Sequence, residues 1–93
     1  MVGPNYRSKE SRIWVLHGNI KYGLITKFSQ IYITIPKTTL WHKYLKIYGK
    51  RVKRYIENPG TIPVEHLERL AQLIDQPIEK FVELIQNELA PNN

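Results

Sequence analysis

Residues 41–74 read WHKYLKIYGKRVKRYIENPGTIPVEHLERLAQLI, and this stretch decides the fold. Its apolar residues recur at spacings of three and four, the period of an α-helix with one buried face. A helix is predicted to begin near residues 36–38, because proline is favoured in a first turn. Gly49 interrupts the pattern, and a second short helix is predicted from about 49 to 57. The predicted buried positions are Trp41, Tyr44, Leu45 and Tyr48 in the first helix, and Val52, Tyr55 and Ile56 in the second. The stretch therefore predicts two short helices joined by a turn.

Positive charge is concentrated in the same part of the chain. Residues 37–54 contain seven basic side chains and no acidic one, namely Lys37, Lys43, Lys46, Lys50, Arg51, Lys53 and Arg54. The first 36 residues carry a net charge of +4 and residues 57–93 carry −5, within a total of +6. Helical spacing places Lys50, Lys53 and Arg54 on one face, opposite the apolar face of the second helix. Concentrated positive charge on a small fold is typical of a protein that binds nucleic acid.

Two longer helices are predicted downstream of the basic segment. Residues 58–61 form a loop in which Asn58 is expected to be a left-handed helix cap. The next helix, at about 63–74, is expected to bury Val64, Leu67, Leu70, Ala71 and Ile74. The last helix, at about 77–89, is expected to bury Ile78, Phe81, Val82, Ile85 and Leu89.

The N-terminal part is less regular. Residues 1–12 are polar, and a mobile arm is the expectation for such a terminus. A helical stripe then follows, formed by Ile13, Leu16, Ile20, Leu24, Phe28 and Ile31. Gly18 and Gly23 each cost roughly 1 kcal/mol inside a helix, so the start of the helix stays open, and Asn19 could cap a helix at about 20–31. Residues 13–16 are then a separate strand or an extra helical turn. With no convincing β-hairpin, five helices predict an all-α domain.

Composition excludes several classes of protein. The chain has no cysteine, which removes disulfides and thiolate metal sites. It has no signal-peptide apolar region, and its longest apolar run, residues 13–16, is too short to span a bilayer. No metal site is expected, because His17, His42 and His66 lack ligand spacing. No catalytic motif is visible. We expect a cytoplasmic protein that is not an enzyme and needs no cofactor.

The sequence resembles the phage repressor and Cro-type family, the lambda repressor-like helix-turn-helix DNA-binding domains. The resemblance covers roughly residues 20–86 and is most specific over residues 55–63, YIENPGTIP, followed by the Leu70-Ala71 pair. It implies a five-helix lambda repressor-like bundle with a helix-turn-helix at residues 19–90, and an N-terminal arm or extension at residues 1–18. The chain departs from the family at two positions. His42 stands where the family commonly has a small residue, and Lys46 stands where it often has glycine, so either the turn is looser or Gly49 takes that role.

The function that the resemblance implies is sequence-specific binding of double-stranded DNA by a small transcriptional regulator. The helix at about 49–57 would enter the major groove, and a homodimer would read two half-sites. The protein would be prokaryotic or phage-encoded and nucleoid-associated. The candidate DNA-binding residues are Lys37, Thr38, Thr39, Lys43, Tyr48, Gly49, Lys50, Arg51, Lys53 and Arg54.

Several alternatives stay open at this point. The same fold could serve as a protein-interaction module, such as an antitoxin or adaptor, whose basic face meets an acidic partner. Binding of structured RNA or single strands is less favoured, because the aromatic residues mostly fall on predicted buried faces. Tyr48 could be a core residue or a DNA contact, and the basic N-terminal residues could be a solvated tail or an arm in a DNA groove. The dimer surface could be the last helix, with Phe81, Leu84 or Leu89 exposed, or residues 13–16.

Overall fold

The computed structural model describes residues 9–91, with side chains from Ser11 onward. These residues form helices and no strand, which confirms the all-α prediction. The helices are α1 (Lys9–Lys21), α2 (Ile31–Thr34), the π-helix π1 (Thr39–Tyr44), α3 (Lys50–Glu57), α4 (Val64–Ile74) and α5 (Ile78–Leu89). Short 3₁₀ turns at Phe28–Gln30 and Pro59–Thr61 precede α2 and α4.

The three C-terminal helices lie where the sequence predicts them. α3, α4 and α5 each begin within a residue or two of the predicted start. The predicted left-handed cap at Asn58 is wrong, since this residue is extended, with φ −145°. Pro59 explains the difference, because the residue before a proline is forced into extended backbone. The Asn58 side chain instead accepts a hydrogen bond from the Gly60 N–H at 3.0 Å.

The predicted helix at about 20–31 is wrong. The helical stripe is divided between α1, which runs from Lys9 to Lys21, and the helical segment around α2. α1 ends at Lys21, and Gly23 just after it has a φ of 74°, a conformation that glycine adopts at little cost. Residues 13–16 therefore belong to α1 and are not a strand. α1 also crosses the expected boundary between residues 18 and 19, and residues 9–12 of the expected arm are helical, while residues 1–8 lie outside the described part.

The core is built from the facing sides of all these helices. α4 packs against α1 and α5, and α5 packs against both 3₁₀ turns. The side chains of Leu16, Phe28, Ile31, Ile35, Leu40, Trp41, Leu70, Ile74 and Phe81 are fully buried. A hydrogen bond from His17 Nδ1 to the Ile74 carbonyl, 2.9 Å, ties α1 to the end of α4 if that nitrogen carries the proton.

The predicted inward faces of α4 and α5 need correction. The sequence pattern predicts that Val64, Val82 and Leu89 are buried, but all three are exposed. Leu84 is buried instead, because Phe81, Leu84 and Ile85 form the i, i+3, i+4 stripe that faces the core. Burial of Phe81 and Leu84 also removes both residues from any dimer surface on the last helix.

A carboxylate on α5 holds the start of the α2 region. Glu88 Oε1 accepts hydrogen bonds from the Ser29 backbone N–H at 3.0 Å and from the Ser29 hydroxyl at 2.7 Å. The Ser29 N–H, followed by its hydroxyl, holds the pKa of the Glu88 carboxyl below its ordinary value.

The Ser29–Glu88 contact predicts a small acid sensitivity. Because the pKa of Glu88 is lower in the folded chain, its stabilisation is complete above the unfolded pKa, about 4.3, and is lost as pH falls through the folded pKa. Glu88→Gln should therefore flatten the decline in unfolding free energy below about pH 4.3, and Ser29→Ala should do so in part. Urea unfolding measured across this range tests the prediction, and identical pH slopes in all three proteins would contradict it.

Candidate nucleic-acid interface

The helix before the basic α3 has π-helical geometry. The Leu45 N–H donates to the Leu40 carbonyl at 3.0 Å, five residues back, and the Ile47 N–H donates to the Trp41 carbonyl at 2.8 Å. Leu40 and Trp41 on π1, and Leu45 and Ile47 just after it, are all buried in the core. Such π-helical turns occur frequently at functional sites.

Two left-handed residues shape the turn between π1 and α3. Lys46 has a φ of 58° and Gly49 has a φ of 90°. A non-glycine residue pays roughly 1–2 kcal/mol for this conformation, whereas glycine pays almost nothing. Lys46 and Gly49 therefore both have a positive φ, which favours glycine at either position.

Relieving the strain at Lys46 should stabilise the chain. We expect Lys46→Gly to raise the free energy of unfolding by about 1 kcal/mol, since glycine adopts a φ of this sign without a Cβ clash. This corresponds to roughly 4–8 °C in Tm for a domain of this size, measured by thermal circular dichroism. The matched control is Lys53→Gly inside α3, which should lower the free energy of unfolding by about 1 kcal/mol. If Lys46→Gly also lowers Tm, the left-handed turn is not a source of strain.

α3 buries one face and exposes its cations on the other. Val52 and Tyr55 are each 5% exposed, and Ile56 packs against the core. The four basic residues of this helix, Lys50, Arg51, Lys53 and Arg54, are all exposed. The basic face that the sequence predicts for α3 is therefore the face exposed to solvent.

Aromatic contacts fix α3 against its neighbours. The ring of Tyr55 lies 5.3 Å from the ring of Trp41 on π1, measured between centroids. Trp41 Nε1 donates in turn to Tyr32 Oη at 3.1 Å, and burial raises the pKa of Tyr32 to about 12 against the opposing effect of that hydrogen bond. On its other side, the Tyr55 hydroxyl lies 2.9 Å from His66 Nδ1 on α4. The helix is therefore held to both π1 and α4.

A cleft of about 330 Å³ separates π1 from α3. It is lined by Thr38, His42, Gly49, Val52, Lys53, Ile56 and Glu57. Beside it the rings of His42 and Tyr48 lie 5.3 Å apart, inclined at 36°. Tyr48 is 57% exposed, so its prediction as a buried residue is wrong. An exposed aromatic ring near the start of α3 can contact a base or the sugar-phosphate backbone.

The candidate site residues are distributed over three segments. The cleft brings together Thr38, Gly49 and Lys53. Lys37 lies apart from it, with its Nζ 5.8 Å from the centroid of the Tyr32 ring. The remaining candidates are Thr39 and Lys43 on π1, Tyr48 in the turn, and Lys50, Arg51 and Arg54 on α3; all but the half-buried Thr39 are exposed.

Sequence reasoning missed two side chains at this site. His42 and Glu57 line the cleft but are not among the candidates. The spacing of four between Thr38 and His42 is the signal that could have found the histidine, since it places both on one side of a helix. Among the described residues no group of three or more potential ligands could hold a metal ion.

Comparison with family models, with curated proteins and with solved structures finds no match to this chain. Across residues 9–91, no helix has the length and apolar character needed to cross a membrane.

Proposed function

We propose that this chain is a sequence-specific double-stranded DNA-binding protein, a small transcriptional regulator that inserts α3 into the major groove. The observation that carries the proposal is the division of α3 into two faces. Lys50, Lys53 and Arg54 are exposed, while Val52 and Tyr55 are buried. An α-helix fits the major groove of B-DNA, and long cationic side chains there reach guanine O6 and N7 or the phosphates.

The arrangement of π1, the turn and α3 supports the same proposal. A preceding helix that crosses the DNA backbone and a following helix that enters the groove are the two parts of a helix-turn-helix. Here π1 supplies the exposed Lys43, and the turn supplies the exposed Tyr48 and Gly49. These groups lie next to α3 in the chain and would contact phosphates while α3 reads the bases.

The proposed regulator is a homodimer, because one such module contacts only a half-site. Since Phe81 and Leu84 are buried, α5 offers Val82, which is 38% exposed, and Leu89, which is 51% exposed, for self-association. On α1, Trp14 and Val15 remain about half exposed. The N-terminal segment is therefore the surface we favour for the dimer.

The experiment that tests this proposal is selection of bound duplexes from a random pool, with molar mass measured for the free protein and the complex. A recovered consensus with two half-sites about one helical turn apart, and a mass that corresponds to two chains, is the expected result. Failure to enrich any duplex, together with capture of an acidic protein by the same basic face, would favour the interaction-module alternative.

Removing single cations from α3 should separate base reading from phosphate binding. Lys50→Ala or Arg54→Ala should lose about 1–3 kcal/mol for the cognate duplex and relax base preference if either contacts a guanine edge. Lys43→Ala should weaken all duplexes about equally. Affinities for cognate and scrambled duplexes, measured side by side at one salt concentration, test this.

Two further variants complete that comparison. Lys80→Ala removes the same charge from α5, in the acidic part of the chain, and should leave discrimination unchanged. Deletion of residues 1–8 keeps α1 intact. If this deletion abolishes discrimination while the Lys50 and Arg54 variants retain it, then the N-terminal residues read the sequence and α3 only clamps phosphates.

A further inference from the structure

One face of α4 contacts both helices that flank the turn. His66 and Arg69 are three residues apart, so they lie one above the other on the same side of α4. His66 reaches Tyr55 on α3, and Arg69 reaches the backbone at the end of π1. α4 thus holds π1 and α3 from a single rigid surface.

The Arg69 contact fixes the place where the chain leaves π1. The Arg69 guanidinium donates a hydrogen bond to the carbonyl of Leu45, the residue that caps π1. The last carbonyls of a helix lack intrahelical partners, and a cationic donor interacts favourably with that negative end. Lys46, the next residue, is the first of the two positive-φ residues in the turn. The contact therefore fixes the peptide at which the turn begins.

The His66 contact fixes the rotation of α3 about its own axis. Tyr55 lies in the middle of α3, with its ring against Trp41 and its hydroxyl 2.9 Å from His66 Nδ1. A ring that packs against Trp41 and meets His66 through its hydroxyl cannot turn without breaking one of these two interactions. Rotation of α3 would move Lys50 and Arg54 away from the base edges that they are proposed to reach.

We propose that His66 and Arg69 are positioning residues that set the angle and rotation of α3 for base reading. Neither belongs to the exposed basic face, that is, Lys43 on π1 together with Lys50, Arg51, Lys53 and Arg54 on α3. This inference rests on the proposed DNA-binding function. It predicts that changes at these two residues weaken discrimination between duplexes but leave the salt dependence unchanged, because neither residue is proposed to contact a phosphate.

The test begins with Arg69→Met, which keeps the length of the side chain and removes its donors. Its affinity for the cognate duplex should fall about 3- to 30-fold, the range expected for residues that act through others, with little change for scrambled duplexes. Lys80→Met is the matched control, because it removes one exposed cation from the same acidic part of the chain and should leave the cognate preference unchanged. Arg69→Lys, which keeps one donor and the charge, should recover part of the preference.

A second pair of variants tests the α3 contact. Tyr55→Phe removes only the hydroxyl that meets His66 and keeps the ring against Trp41, so cognate preference should fall while the chain stays folded. Tyr22→Phe, at a tyrosine that is 72% exposed, is the control and should behave as the parent.

Amide hydrogen exchange separates failure of this inference from failure of the proposed function. Arg69→Met should speed exchange of the Leu45 and Ile47 amides relative to Lys80→Met, whether or not DNA binds. If the parent binds no duplex, the proposed function fails, while faster exchange still shows that Arg69 holds the turn. If the parent discriminates between duplexes but Arg69→Met and Tyr55→Phe retain full discrimination, the positioning role is overturned. A decrease in affinity equal for all duplexes, with a shallower salt slope, would also overturn it, because that is the signature of a phosphate contact.

Discussion

Replacing Val52 or Leu67 by aspartate is expected to unfold the protein. The two side chains are 5% and 6% exposed, so a carboxylate at either position would lose its hydration and gain no partner. The cost of such a buried charge is on the order of 4 kcal/mol or more, comparable with the roughly 5–15 kcal/mol that stabilises a typical domain. Circular dichroism and urea unfolding should show loss of helix in both variants.

Val64→Asp is the matched control for Leu67→Asp. Both residues lie on α4, but Val64 is 64% exposed and sits in the first turn, where a carboxylate favours the helix. This variant should remain as heat-resistant as the parent. If Val64→Asp unfolds, then Val64 is buried, as the sequence pattern predicts, and its exposed position on α4 is contradicted. A Leu67→Asp variant with the parent's Tm would contradict the packing of α4.

The C-terminal helices could be predicted because local signals agree with one another. Pro63 and Pro77 stand immediately before α4 and α5, and each provides the restricted backbone with which a helix can begin. The spacing of Leu67, Leu70, Ala71 and Ile74 leaves one choice of inward face. Errors arise only where an apolar residue lies at the edge of the stripe, as Val64 does. At an edge, burial depends on whether a neighbouring helix reaches that far, which the spacing does not record.

The helix boundaries in the N-terminal half could not be predicted, because the sequence does not show which of two glycines ends the first helix. Gly18 and Gly23 carry the same intrinsic cost in a helix. Packing of Leu16 and Ile20 on either side of Gly18 keeps that glycine within α1, while Gly23 adopts a positive φ and ends the segment. Only tertiary contacts distinguish the two residues, and these are absent from a local pattern.

The part of the candidate interface that lies on α3 could be predicted from the sequence. The exposed stripe of Lys50, Lys53 and Arg54 follows directly from helical spacing. The exposure of Tyr48 does not, because the helix ends before this residue and Lys46, with a φ of 58°, breaks the helical spacing on which the prediction rests. Arg69 bonds to a carbonyl 24 residues away, and no sequence period reports such an interaction.

If the proposed DNA-binding function holds, the distribution of charge would also orient the molecule on a duplex. Residues 37–54 carry +7, whereas residues 57–93 carry −5. Phosphates attract the first segment and repel the second, so the basic helix should meet the duplex while α5 faces away. An orienting field of this kind raises the rate of productive encounter and is weakened by salt.

Raising the salt concentration should therefore weaken duplex binding steeply. If ~5–8 phosphates are neutralised across a dimer, the logarithm of the association constant should fall with the logarithm of salt concentration at a slope of roughly −4 to −7. Between 50 and 200 mM salt this is a decrease of about 250- to 16,000-fold in affinity. Fluorescence anisotropy with a labelled duplex, titrated at four or five salt concentrations, measures the slope.

Variants that remove one charge test whether the slope depends on where that charge lies in the structure. Lys43→Ala removes one proposed lysine–phosphate ion pair per chain, and each ion pair removed should make the slope shallower by about 1 unit, that is by about 2 in a dimer. Lys80→Ala lowers the net charge by the same amount from α5, so it should leave the slope close to that of the parent. Equal changes in the two variants would mean that net charge alone, and not the exposed basic face, attracts the duplex. Tight binding that is indifferent to salt over this range would rule out the DNA-binding proposal itself, because phosphate neutralisation by lysine and arginine necessarily releases counterions.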